Sequence, residues 1–178
     1  SLFGIGIKSE KVVIAMEFEE LSTFILGELT SKMGNNSGLS IFASNRSQFE
    51  DWLKVELCGS LSKYFQDVVP ERNRIDVTFD DWAIELKTVS TSYRYDKVID
   101  KEPGAITDSV TGIIEDAEAL MSTNYANKAV LFVVFPVTLG KRRWQYHLNR
   151  ISPSLREMKS QGFRFENEVP GIIYFGLV

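Results

Sequence analysis

The first regular pattern begins at Glu17, after which Leu21, Phe24, Ile25 and Leu29 recur at the spacing of one helical face. The run Gly34-Asn35-Asn36-Ser37-Gly38 ends that helix, and Ile41 with Phe42 reads as a short extended piece. Residues 47–65 predict a second helix. Ser47 and Glu50 have the spacing of a capping box, and Phe49, Trp52, Leu53, Leu57, Leu61 and Tyr64 form its apolar stripe. Val68 and Val69 predict a short strand, residues 70–73 a turn, and residues 74–89 a hairpin. A further amphipathic helix spans about 107–121, with Val110, Ile113, Ile114, Ala117 and Leu120 inward. Residues 129–135 are continuously apolar, as in a strand buried on both faces. Residues 141–151 suit a helix, and Ser152 followed by Pro153 starts a short one that Gly162 ends. Residues 163–165 and 172–175 predict the final strands, while residues 11–16 fit either a strand or a helix start. This order predicts an α/β protein with a central mixed sheet between helices. A length of 178 residues suits a single domain over 1–178.

Both arms of the hairpin alternate strictly. Ile75, Val77, Phe79, Trp82, Ile84 and Leu86 form one face; Arg74, Asp76, Thr78, Ala83, Glu85 and Lys87 form the other. With Asp80-Asp81 as a two-residue turn, Phe79 pairs with Trp82, Thr78 with Ala83 and Val77 with Ile84. Asp76 then falls opposite Glu85, and two like charges so placed repel. A divalent cation held by both would relieve that repulsion, and oxygen-only ligation suits Mg²⁺ or Mn²⁺. On this reading Asp76→Asn stabilises the metal-free protein. Lys87 shares the face of Glu85 and can reach the same site, with Arg74 as its cross-strand neighbour. The plainer alternative is a solvated face on which Lys87 pairs with Asp76 or Glu85 for ~0–1 kcal/mol.

Glu56 is the only charged residue in the stripe 49, 52, 53, 56, 57, 60, 61 and 64. A carboxylate among core-facing positions is costly unless it binds metal or is paired, with Arg74 or Lys63 as candidate partners. Glu56 on a helix, Asp76 in one strand, Glu85-Leu86-Lys87 in the next, then a helix and a buried strand, together resemble the PD-(D/E)xK nuclease superfamily. Ile75 stands where the family's name has Pro. The resemblance implies a three-layer restriction-endonuclease-like fold, a central mixed sheet flanked by helices. Its αβββαβ core would occupy about 47–137, between an N-terminal helical segment at 1–36 and a helix and strand extension at 138–178. It also implies a Mg²⁺- or Mn²⁺-dependent nuclease that hydrolyses phosphodiester bonds of nucleic acid, taken here as DNA, alone or as a homodimer or larger complex. The catalytic residues would be Glu56, Asp76, Glu85 and Lys87. Asp76, Glu85, Glu56 and the backbone carbonyl of Leu86 would hold the metal, and Lys87 would act on the attacking water or on charge at phosphorus.

Charge refines this picture. Lys and Arg number 20 against 24 Asp and Glu, a net charge of −4. That balance argues against a protein that coats nucleic acid and leaves room for an enzyme with a local basic face. Tyr93-Arg94-Tyr95 could stack a base and hold a phosphate, and Lys141, Arg142 and Arg143 could grip a phosphate backbone. A solvated loop and a solvated helix start are the respective alternatives. The single cysteine, Cys58, excludes an internal disulfide or a cysteine-rich metal cluster and fits a reducing, cytoplasmic setting. His147, the only histidine, excludes a two-histidine zinc site and is placed to pack between Trp144 and Ile151. Neither a Gly-x-Ser-x-Gly elbow nor a Gly-rich phosphate loop occurs. The longest apolar run, 129–137, is about half a membrane helix, and no secretory leader pattern is visible, so no membrane partner is expected. Two further functions fit the same residues: a binding or assembly module on this fold with its chemistry lost, and an α/β interaction domain with a solvated hairpin face.

Overall fold

The structure is a computed structural model that describes residues 16–102 and 104–178; the ambiguous stretch before Met16 lies outside them. In chain order the elements are α1 (Phe18–Gly34), α2 (Ser37–Ser44), α3 (Glu50–Leu61), β1 (Val69–Pro70), β2 (Val77–Phe79), β3 (Trp82–Ser90), α4 (Ile106–Met121), β4 (Asn127–Phe135), α5 (Arg142–Ile151), β5 (Glu157–Arg164) and β6 (Pro170–Leu177). Short 3₁₀ turns occupy Arg72–Arg74 and Ser152–Ser154. From α3 to β4 the elements run αβββαβ. The strands form one mixed sheet in the order β1-β2-β3-β4-β6-β5. The pair β3 and β4 is parallel and every other neighbouring pair is antiparallel.

Alternation along the central strands sends apolar side chains to both faces, as a sheet covered on both sides requires. Val77, Phe79, Trp82, Ile84, Leu86, Leu131, Val133, Ile173 and Phe175 pack with α1, α2 and α3. Ala83, Val89, Val130, Phe132, Val134, Ile172 and Tyr174 pack with α4 and α5. The extension after residue 137 is integral, because β6 pairs with β4 along Ala129–Val134 and is buried from Pro170 to Gly176. Among the described residues no helix is long and apolar enough to cross a membrane.

Four local expectations are corrected. Ile41 and Phe42 belong to helix α2, whose N-cap Asn36 accepts from the Leu39 amide at 3.0 Å and whose buried side chains include Leu39 and Ala43. Helix α3 starts at Glu50 and not at Ser47. The proposed capping box is replaced by bonds to β3: the Phe49 amide donates to Thr88 Oγ1 at 3.1 Å, and the Thr88 amide donates to Glu50 at 3.2 Å. Strand β2 begins only at Val77, because Glu71, Asn73 and Arg74 all take positive φ (61°, 55° and 64°) and turn the chain. Ile75 therefore joins the α4 side of the core rather than the face of Val77. Finally, the helix expected between Ser152 and Gly162 stops after one 3₁₀ turn, and Glu157–Arg164 forms strand β5. The full length of β6 offers it backbone partners, which outweigh a weak helix-start signal.

Candidate active site

The hairpin adopts the register read from the alternation: Val77 opposes Ile84, Thr78 opposes Ala83 and Phe79 opposes Trp82. Asp80 supplies the positive φ, 48°, that a tight hairpin turn needs. Asp76 lies one step beyond the ladder. Its Oδ2 accepts from the Leu86 amide at 2.8 Å, so a side chain takes the place of a backbone acceptor. Its Oδ1 receives the Lys54 ammonium at 2.9 Å, and Lys54 also pairs with Glu71.

Asp76 and Glu85 meet, their carboxyl groups sharing a hydrogen bond. Desolvation and the nearby charges of Asp76 and Asp116 push Glu85 up to about 9. Near neutral pH Glu85 is thus a carboxylic acid that donates to the Asp76 carboxylate. For Asp76, burial pushes upward, but the bonds from Glu85, the Leu86 amide and Lys54 hold it below the usual carboxylate value. A single proton and Lys54 relieve the like-charge repulsion of the pair.

Lys87 does point to the face of Glu85, but its ammonium pairs with Asp116 of α4 at 3.5 Å. Burial raises the Asp116 pKa, and Lys87 partly offsets this. Arg74, expected beside Lys87, sits in the 3₁₀ turn outside the ladder.

Glu56 does not join this group. It flanks the buried positions Leu53, Leu57, Ser60 and Leu61 and pairs with Lys32 of α1 at 3.0 Å. Glu56 is ion-paired, but its partner is neither Arg74 nor Lys63, and Lys63 lies on Glu28. Among the described residues no three His, Cys, Asp or Glu side chains are grouped to hold a metal ion. The oxygen donors at the hairpin are therefore a carboxyl pair with adjacent backbone.

The two basic candidates converge. Lys141 places its ammonium 5.7 Å from the Tyr93 ring centroid, and the Trp144 amide donates to the Tyr93 hydroxyl at 3.1 Å. Tyr95 reaches Thr138 at 3.5 Å, and the exposed Arg94 pairs with Asp100 at 3.6 Å. Arg142 and Arg143 are exposed in the first turn of α5. His147 packs as expected, its ring 6.1 Å from that of Trp144.

Sequence reasoning missed Lys54, Asp116 and Gly112. Lys54 follows Glu50 by one helical turn and flanks the buried stripe of α3, which marks it as a candidate without naming its partner. Gly112 and Asp116 stand one turn apart beside the inward residues Ile113 and Ala117. A glycine and a charge flanking a buried stripe are the signal that could have found them. In comparisons with protein-family models, curated proteins and solved structures, nothing matches the chain.

Proposed function

We propose that this chain is a divalent-metal-dependent nuclease of restriction-endonuclease-like fold, hydrolysing phosphodiester bonds of DNA. The observation that carries the reading is the hydrogen-bonded carboxyl pair of Asp76 and Glu85 where the hairpin ladder ends, with Lys87 two residues beyond Glu85 on β3. The element order αβββαβ supports the fold. The donor set fits a hard cation. A Mg²⁺ that keeps most of its waters needs only one or two carboxylates. The Leu86 carbonyl points to the same side of the strand as its amide, toward Asp76. When bound, such an ion supplies Lewis acidity at a phosphate oxygen and an acidified water.

The chain's own residues supply the rest. Asp76 and Glu85 release their shared proton and present two carboxylates. Lys87, on the Asp116 flank, stabilises the charge that grows on the phosphate oxygens as water attacks phosphorus and the leaving oxygen departs. Glu56 takes no part. Lys141, Arg142 and Arg143 crowd the N-terminal end of α5, where the helix dipole disfavours cations. An anionic backbone relieves that cost, so they and Tyr93, Arg94 and Tyr95 form the margin of the nucleic-acid surface.

Cleavage of plasmid DNA, oligonucleotide DNA and RNA, each with Mg²⁺ or Mn²⁺, tests the reading. Metal-dependent cleavage of DNA that Asp76→Ala and Glu85→Ala both abolish is expected. Cleavage unaffected by either change would overturn the site. The engagement of Asp76 by Lys54, and of Glu56 by Lys32, favours a second reading, a catalytically silent binding module. That reading predicts nucleic-acid or protein binding with no cleavage under either metal.

A further inference from the structure

We propose that Asp116 is a positioning residue: it draws the Lys87 ammonium onto α4 and so keeps Asp76 and Glu85 open to a divalent cation. The inference rests on the metal-dependent reading above. Lys87 leaves β3 on the face of Glu85, and its flexible four-carbon stem is long enough to turn toward either carboxyl group. It pairs instead with Asp116 Oδ2 at 3.5 Å.

The seat for the lysine is built into the helix. Gly112 lies one turn before Asp116, and a Cβ at that glycine would stand 3.2 Å from Lys87 Nζ and 3.5 Å from Cε. A bare backbone at 112 therefore lets the lysine lie against α4, and the carboxylate one turn later anchors its end. The side chains of Lys87 and Asp116 are 31% and 32% exposed, so the pair is held at the surface, where an arriving anion can reach it.

On the opposite flank Lys54 of α3 holds Asp76 at 2.9 Å. The two cations are parted by the carboxyl pair. Without Asp116, the hydrogen-bonded pair of Glu85 and Asp76 offers the ammonium carboxyl acceptors two residues back along β3. An ammonium there would compete with a bound cation for the same oxygens.

Calorimetric titration of Mn²⁺ into wild type, Asp116→Asn, Lys87→Met and the double variant tests this. Asp116→Asn is expected to weaken Mn²⁺ about tenfold, the scale of a lost outer-shell partner. Lys87→Met should bind at least as tightly as wild type. The double variant should match Lys87→Met, because no ammonium remains to be misplaced. An equal loss from Asp116→Asn with and without Lys87 would overturn the proposal, since Asp116 would then act as a ligand or a bare charge.

Crystal structures of metal-free wild type and Asp116→Asn give a second readout. The ammonium should lie on Asp116 in the first and within hydrogen-bond distance of Asp76 or Glu85 in the second; an unmoved lysine would overturn the proposal. A wild type that binds no Mn²⁺ overturns the metal reading and the purpose of the seat. The position of Lys87 in the two crystals still decides whether Asp116 holds it.

Discussion

The backbone amide of Leu86 donates to Oδ2 of Asp76 at 2.8 Å, so a carboxylate completes the edge of the hairpin where the β2 ladder stops. That bond turns Asp76 toward Glu85. It also leaves the other oxygen for Lys54 at 2.9 Å. The acid is therefore fixed by three donors: an amide, an ammonium and the Glu85 carboxyl group.

This arrangement reverses the sign of the effect expected from alternation alone. Asp76→Asn relieves no repulsion, because Glu85 already carries the proton. It replaces a charged acceptor by a neutral amide facing Lys54. Hydrogen bonds to charged groups are worth ~1.5–3 kcal/mol when buried, and less here, where the Asp76 side chain is 25% exposed. The metal-free variant should be destabilised by about 1–2 kcal/mol, a fall in Tm of about 2–8 °C. A scanning-calorimetry Tm at or above wild type would show that repulsion dominates after all.

Stability of the metal-free protein should fall as pH rises across the neutral range. Glu85 is raised from 4.5 to about 9 in the folded state, by burial first and then by Asp76 and Asp116. The folded state thus binds more protons than the unfolded state between those values. Its contribution is fully present below pH 4.5 and is lost as pH rises through about 9. Asp76, held low, contributes in the opposite sense: its stabilisation is present above 3.8 and is lost as pH falls through its folded value. Denaturant titrations at about pH 5, 7 and 9 should show Glu85→Gln losing much of the downward slope. Mn²⁺ binding near pH 7 should release about one proton per ion, read from calorimetry in buffers of different ionisation enthalpy.

The register of the hairpin was legible because a period of two leaves only one way to bury Val77, Phe79, Trp82, Ile84 and Leu86 together. That register also put Asp76 beside Glu85. The partners across elements were not legible. Nothing in the spacing of α3 says that Lys54 faces the hairpin edge while Glu56 faces α1, because both border the same buried stripe. The Ser47 capping box fails for a related reason. Thr88 on β3 offers Phe49 and Glu50 tertiary partners, and these decide where the helix begins. Residues 157–164 carry little apolar signal, so an edge strand zipped onto β6 looked like the continuation of a helix.

Arg46 should matter to the loop that follows β3. Its guanidinium donates to the carbonyls of Ile99 at 3.0 Å, Tyr93 at 2.8 Å and Thr91, and the residue is only 8% exposed. It thereby ties residues 91–99, including Tyr93 and Tyr95, to the end of α2. Arg46→Met keeps the stem and leaves those carbonyls unpaired. A loss of at least ~2 kcal/mol and a Tm lowered by about 4–8 °C are expected. Hydrogen exchange should accelerate first at residues 91–99. Uniform acceleration across the sheet would show that the clamp stabilises the whole fold and not the loop.

Lys87→Ala should separate chemistry from structure. The ammonium that it removes pairs with Asp116 at 3.5 Å on a part-exposed surface, and such pairs contribute ~0–1 kcal/mol. Folding and Mn²⁺ binding should therefore stay near wild type. On the proposed mechanism the catalytic contribution is of another size. A cation set beside a phosphate meets charge that grows only in the transition state, and removing one such contact costs ~3–4 kcal/mol. That is a loss in cleavage rate of roughly a hundredfold or more. The stem is not the source of this effect, so Lys87→Met should be as slow as Lys87→Ala, while Lys87→Arg, with its charge but a wider planar head, should recover part of the rate. Single-turnover cleavage with Mn²⁺ on the three variants reads the difference. Wild-type rates in Lys87→Ala would remove the lysine from the reaction and leave its bond to Asp116 as a surface ion pair.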